Sequence, residues 1–252
     1  GGAGIQADLK SFSAQGVYGM AVITALTAQN TTGVSQIHKP SPDFVAEQIR
    51  MVAADVRIDA IKIGMIADAV IANAVAEEVG ALSDVPVILD PVMIAKGGAP
   101  LLAEEAMSCL CEELVPLADI LTPNLPEAAA LLNKKTAQNK DEMFQQAKEL
   151  LTLGPRAIYL KGGHFDGPYS PDLFMSKTEM RWFEATRLQT KNTHGTGCSL
   201  SAAIAANYAK GLTPEQACAT AKAFITAAIS EADSLTVGAG HGPIHHFHHL
   251  WA

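Results

Sequence analysis

The run Asn192-Thr193-His194-Gly195-Thr196-Gly197-Cys198-Ser199-Leu200-Ser201 leads into Ala202-Ala203-Ile204-Ala205-Ala206, and it is the strongest chemical signal in the chain. Two glycines ahead of a small-residue helix expose successive backbone N–H groups, and the helix dipole adds to their pull on an anion. Gly195, Thr196 and Gly197 therefore read as donors to a phosphoryl group, and the same place is expected to depress the pKa of Cys198. A plain glycine turn over a buried thiol would have the same local sequence. The choice between them rests on what other residues meet this turn. No Gly-Lys dipeptide occurs, which excludes a Walker-type phosphate loop. Gly2-Ala3-Gly4-Ile5-Gln6-Ala7 fits the loose dinucleotide fingerprint, but no acid stands between Asp8 and Asp43 to hold a ribose.

Pro123-Asn124-Leu125-Pro126-Glu127 places Asn124 and Glu127 three apart where a helix begins, so their oxygens can converge on a cation or a phosphate-bound water. Taken alone, the pair reads equally as a helix cap with a capping box. Asp90, at the end of another apolar run, makes a Mg²⁺-nucleotide environment the better reading, since Mg²⁺ takes few carboxylates plus substrate phosphates. Lys161, before Gly162-Gly163, is a candidate phosphate partner. Cys109 and Cys111, two apart in a helical pattern, do not share a face, which argues against a zinc clamp. The tail holds five histidines, His241, His245, His246, His248 and His249, and reads as an adventitious metal binder rather than a catalytic centre.

These residues need elements to hold them. Apolar β-rich runs cover residues 18–26, 58–63, 85–89, 119–121 and 157–160, and the first four are followed by Gln29-Asn30, Gly64-Met65, Asp90-Pro91-Val92-Met93 and Thr122-Pro123-Asn124. Lys161-Gly162-Gly163 follows the fifth. Helical patterns lie between them. One opens at Pro42 with Ser41 as cap and a face of Phe44, Val45, Ile49, Val52 and Val56; others cover 68–79, 103–114 and 140–153. Strands alternating with helices, read as continuous apolar runs, give an α/β class with a mostly parallel sheet covered on both faces. Residues 172–175 and 181–183 read as an antiparallel edge pair, and the chain from Gly195 to Asp233 as almost entirely helical. Ligands of open parallel sheets sit beyond the strands' carboxyl ends, which is where the polar and glycine residues gather.

The chain has 252 residues, 48% hydrophobic and 17% charged, enough for a substantial core and far from a disordered composition. No repeat or linker divides it, so a single domain over 1–252 is expected. A net charge of −8 argues against a broad nucleic-acid or anionic-lipid surface, and no run of about 18 apolar residues offers a membrane span. Four cysteines are too few for a disulfide framework, so a cytoplasmic protein is expected.

Taken together, these stretches resemble the ribokinase-like superfamily, and within it the hydroxymethylpyrimidine/phosphomethylpyrimidine kinases of thiamine biosynthesis. The likeness runs in order from Gly1-Gly2-Ala3-Gly4-Ile5-Gln6-Ala7-Asp8 through Thr24 to Asn30, Lys62-Ile63-Gly64-Met65, Asp90-Pro91-Val92-Met93, Thr122-Pro123-Asn124-Leu125-Pro126-Glu127, Lys161-Gly162-Gly163-His164, Gly195-Thr196-Gly197-Cys198 and Gly242-Pro243-Ile244-His245-His246-Phe247. It implies a three-layer αβα sandwich around a mostly parallel sheet. The family's usual opening strand, with an Ala-Gly-x-Asp-Pro-Ser run, does not occur in this sequence, and truncation is the expected reason. By the same resemblance Gly4, Asp8, Gln29, Met65 and Val92 would line a pyrimidine pocket, Thr193 and Val237 would touch the nucleotide with Asn124 and Lys161, and Asp90 and Glu127 would hold Mg²⁺. A carboxamide such as Gln29 offers a donor beside an acceptor, which suits an aminopyrimidine edge. Adenine is expected near Val237 and the helix that contains Phe224.

The implied reaction moves the ATP γ-phosphoryl group to a hydroxymethyl oxygen, and then to the resulting monophosphate. Cys198 stands where many relatives carry an aspartate base. Its thiolate would matter for the alcohol and little for the already ionised phosphate. A homodimer is expected from the family. Two rivals are a pyridoxal kinase of the same superfamily, because both acceptors carry a hydroxymethyl group on a six-membered nitrogen ring, and a silent binding protein for the pyrimidine or a nucleotide.

Overall fold

A computed structural model describes residues 1–93 and 104–251. Its main sheet has six strands in the order β3 (Ile61–Ile63), β4 (Val87–Leu89), β5 (Ile120–Leu121), β6 (Ala157–Lys161), β7 (Asp172–Ser176) and β8 (Met180–Phe183). The first four pair parallel, β7 pairs antiparallel to β6 and β8 antiparallel to β7, as the alternation of strands with helices and the late hairpin pattern predict. Alternation divides the strand side chains between two apolar layers. Val87 and Leu89 face one with Ile63, Leu121, Ile158 and Leu160, while Ile88 faces the other with Ile120, Tyr159 and Phe174.

On the first face pack α2 (Pro42–Asp55), α3 (Ala69–Gly80), α4 (Glu104–Cys109) and α6 (Lys140–Leu151). α7 (Thr196–Ala209) and α8 (Pro214–Ser230) cover the second, and α1 (Gly4–Ala14) packs on α7. α5 (Leu125–Leu131) follows β5. Sequence signals set the starts of these helices. Pro42 follows the Ser41 cap, Asp68 Oδ1 accepts the Ile71 N–H at 3.0 Å, and Thr213 with Gln216 closes a capping box on α8. α7 buries nine residues in sequence from Ser199 to Asn207, and its alanines let it lie close on the sheet and on α8.

Several expectations need correction. Residues 18–25 form no strand; Tyr18 is exposed and the segment is held by side chains, with Gln48 both accepting from and donating to the Ile23 backbone at 3.0 and 3.2 Å. The strand begins later. β1 (Leu26–Gln29) pairs with β2 (Val34–His38) in a separate two-stranded antiparallel sheet outside the parallel array. The glycine-rich start is mostly helix α1, which the turn-like composition of residues 1–8 conceals. In α2 the buried face is Val45, Ala46 and Ile49, while Phe44 and Val56 are exposed. The pattern predicted over 103–114 turns from α-helix into a π-type turn at Leu110–Leu114, and its first residue, Ala103, lies outside the described residues. No helix among the described residues is long and apolar enough to cross a membrane.

Candidate active site

A cavity of about 1080 Å³ opens beyond the carboxyl ends of β3 to β6 and continues along the free edge of β3. It is lined by every residue singled out above as a site candidate except Val237: Gly4, Asp8, Gln29, Met65, Asp90, Val92, Asn124, Glu127, Lys161, Thr193 and the Gly195–Cys198 turn all border it. Val237 is exposed and is not among the residues that line the cavity. Phe224 points into the core of the second layer, and from α8 it is Lys222, Ile225, Thr226 and Ile229 that reach the cavity.

The phosphate-type turn forms as its glycines require. Gly195 caps α7 in the left-handed region at φ 79°, and a Cβ there would stand 1.7 Å from the Gly2 carbonyl oxygen. Thr196 Oγ1 donates back to the Thr193 carbonyl at 2.8 Å. The charges lie directly under this turn. A Cβ on Gly197 would be 3.4 Å from Lys161 Nζ and 3.9 Å from Asp90 Oδ2.

Lys161 Nζ donates to Asp90 Oδ1 at 2.9 Å and lies 3.8 Å from Glu127 Oε2. Asp90 is 2% exposed and also accepts from Thr122 and Ser201 hydroxyls at 3.3 and 3.4 Å. Burial works to neutralise Asp90, but Lys161 and Lys62 prevail and hold its carboxyl below the usual range. Burial also opposes the Lys161 charge, and the two carboxylates overcome it. Glu127 is the group that yields. Burial, helped by Asp90, pushes it up to about 7 against the pull of Lys161 and of its bonds to Asn124. Those bonds are the capping box itself: Asn124 N–H donates to Glu127 Oε2 and Glu127 N–H to Asn124 Oδ1, both at 2.8 Å. The bland reading of this pair is therefore realised, and the pair borders the cavity as well.

Cys198 departs from expectation. Its thiol is raised rather than depressed, because burial leads, with Asp8 and Asp90 adding to it, and together they outweigh Lys62 and a bond from the Gly4 backbone. Burial first, and then the two nearby acids, prevail over the helix start. Asp8, itself pushed up by burial, is held by Lys62 through contacts of 2.9 and 3.1 Å to both oxygens. Lys62 was missed by the sequence reading as a site residue. The signal was there: a lysine between Ile61 and Ile63 in a buried strand must find a partner. A second network was missed too. Asp172 Oδ1 accepts the Gly162 N–H at 2.9 Å, and its Oδ2 accepts from Tyr159 and Lys222 at 2.9 and 2.7 Å, which fixes the turn after Lys161.

On the acceptor side, Gln29 lies where the β1–β2 ladder skips a residue, and Thr27 Oγ1 donates to its Oε1 at 3.4 Å. Such a bulge re-aims a side chain. The Met65 carbonyl accepts from Thr24 Oγ1 at 2.8 Å, which fastens the hairpin base beside the Met65 and Val92 walls. The tail histidines gather no group of three or more ligating residues among the described residues.

The comparisons with known proteins agree with this geometry. The phosphomethylpyrimidine kinase family profile matches residues 1–245. The hydroxymethylpyrimidine/phosphomethylpyrimidine kinase of Escherichia coli K12 is 50% identical over 251 residues, spanning all of this chain and 94% of that protein. The crystal structure of phosphomethylpyrimidine kinase from Clostridium difficile 630 superposes with a TM-score of 0.80 at 40% identity, over 90% of this chain and 94% of the other. A pyridoxal kinase from Staphylococcus aureus in complex with AMP-PCP and pyridoxal reaches a TM-score of 0.89 at 28% identity, over 99% of this chain and 90% of that one. With its parallel sheet, glycine turn and buried Lys161–Asp90–Glu127 cluster, this chain belongs to the phosphomethylpyrimidine kinase family.

Proposed function

We propose that this chain, acting as one kinase domain over 1–252, transfers the γ-phosphoryl group of ATP to 4-amino-5-hydroxymethyl-2-methylpyrimidine and then to its monophosphate. The observation that carries the reading is the stacking of the Gly195–Gly197 turn on Lys161, with 3.4 Å between the Gly197 Cβ position and the ammonium. An anion seated there meets backbone donors from one side and a buried cation from the other.

In the first step the hydroxymethyl oxygen attacks the γ-phosphorus, ADP leaves, and the hydroxyl proton passes to the Cys198 thiolate. Lys62 and the Gly4 backbone are the groups that favour that thiolate. In the second step the attacking oxygen is already ionised, so Cys198 has little to accept. Lys161 and the turn amides meet the charge that develops on the transferring group in both steps. Gln29 and the walls Met65 and Val92 orient the ring, with Thr193 and Asn124 on the nucleotide side. Two buried carboxylates share one lysine here, and Glu127 answers by holding a proton up to about 7. That donor set fits Mg²⁺ held by Asp90 and Glu127, which would replace the proton and neutralise phosphate charge.

A cytoplasmic homodimer acting on small molecules, with no nucleic-acid or membrane partner, completes the proposal; the net charge of −8 supports the last point alone. The test is ADP release with Mg²⁺-ATP and, in parallel, the hydroxymethylpyrimidine, its monophosphate and pyridoxal. Turnover on both pyrimidines is expected. Turnover on pyridoxal alone would move the chain to the second reading, which the likeness to pyridoxal kinase structures favours, and silence on all three would leave a binding protein.

A further inference from the structure

The β1–β2 hairpin is thinly supported. Every β1 residue is exposed and β2 is at most half-buried, and a two-stranded ribbon alone is marginal in water. Within this chain it is anchored by hydrogen bonds at its two ends. The base is fixed by Thr24 on the Met65 carbonyl and by Gln48 on Ile23. The tip is closed by Asn30, whose Oδ1 accepts from the Thr32 and Gly33 N–H groups at 2.9 and 3.1 Å.

That tip docks on the C-terminal strap. The Thr31 carbonyl accepts the His241 N–H at 3.0 Å, and Thr31 Oγ1 accepts the Gly240 N–H at 3.2 Å. The fit dictates residue type. A Cβ on Gly240 would stand 2.0 Å from the Thr31 carbonyl oxygen, and one on Gly238, whose φ is +69°, would stand 2.3 Å from the Thr31 hydroxyl. The strap then continues toward the phosphate turn. Gly242 N–H donates to Asn192 Oδ1 at 3.1 Å and its carbonyl accepts the His194 N–H at 2.9 Å, one residue before Gly195. A run of backbone contacts thus joins the hairpin tip to the turn that caps α7.

We propose that Thr31 is a positioning residue for acceptor recognition: its seat on the Gly238–His241 strap sets where Gln29, two residues earlier, stands over the cavity. The claim rests on the reading of Gln29 as an acceptor contact. Hairpin placement by the latch and recognition by Gln29 are nevertheless measured separately.

The experiment compares wild type, Thr31→Val, Gly240→Ala, Gln29→Ala and the Gly240→Ala/Gln29→Ala double variant, using the full chain. Hydrogen–deuterium exchange reads the latch. Gly240→Ala is expected to speed exchange of the amides from Gln29 to Val34 at least about tenfold, with α7 unchanged, and Thr31→Val, which keeps the backbone bond to His241, to do so less. Steady-state kinetics read the consequence. Gly240→Ala should raise KM for both acceptors about tenfold with kcat nearly kept, and the double variant should be no worse than Gln29→Ala alone. Unchanged hairpin exchange in Gly240→Ala overturns the latch. Faster exchange with KM losses that add in the double variant overturns positioning through Gln29. An unchanged acceptor KM in Gln29→Ala beside faster hairpin exchange overturns the acceptor role of Gln29 and the positioning claim with it, while the latch stands.

Discussion

At the scale of single residues, the site is a contest between burial and a few opposite charges. Cys198 lies at a helix start, yet burial and the nearby Asp8 and Asp90 keep its proton on at neutral pH. A base with a raised pKa gains thiolate as pH climbs, so the first phosphorylation should speed up with pH above neutrality. Cys198→Ala should cost the first step ~10²-fold or more and flatten that rise, while the second step falls less than about tenfold. ADP release measured with each acceptor across pH checks both, and equal losses would sink the thiolate role. Lys161 is different in kind. Its removal leaves Asp90 and Glu127 buried without their cation, so Lys161→Met should cut both steps by ~10²–10³-fold and lower the melting temperature. A loss confined to one acceptor would show that Lys161 does not serve the shared phosphoryl group.

At the scale of elements, legibility followed local chemistry. The strand ends carrying Asp90, Asn124 and Lys161, and the Gly195-Thr196-Gly197 helix start, could be read because each needs only its own neighbours. The hairpin could not. Its strands lack a buried face, so no alternation marks them, and the apolar run ahead of it pulled the predicted strand to residues 18–26. The helix that contains Phe224 borders the cavity as expected, but through Lys222, Ile225, Thr226 and Ile229, because which side of α8 meets the cavity is decided by packing against α7. The C-terminal strap shows such packing directly. His246, buried, shares a 2.8 Å hydrogen bond with Ser199 of α7, and burial, with Lys10 and His245, lowers it to about 4. A histidine lowered in the folded state favours folding above its unfolded value near 6.5, and that contribution is lost as pH falls toward 4. Denaturant midpoints should therefore drop across that window, and His246→Gln should flatten the dependence. An unchanged slope in the variant would place the acid sensitivity elsewhere.

At the scale of the whole molecule, the cavity is bordered by the hairpin, the ends of four parallel strands, the α7 turn and α8, so a ligand that fills it would touch elements from both layers. Ligand that binds only the folded chain stabilises it by mass action, about 2.7 kcal/mol at a hundred times Kd. In a chain of 252 residues that corresponds to a rise of roughly 5–10 °C in melting temperature. The rise carries information about the metal. Asp90 and Glu127 crowd one lysine, and ATP alone would add negative charge beside two carboxylates, whereas Mg²⁺ offsets part of that charge. Mg²⁺-ATP should therefore raise the melting temperature several degrees more than ATP in chelator. Glu127→Gln removes one proposed ligand while keeping an acceptor oxygen for the Asn124 cap, so its Mg²⁺-dependent increment should shrink and its metal-free shift should persist or grow. An increment of full size in Glu127→Gln would assign the metal to Asp90 and the phosphates alone, with Glu127 left as the helix cap that its hydrogen bonds already make it.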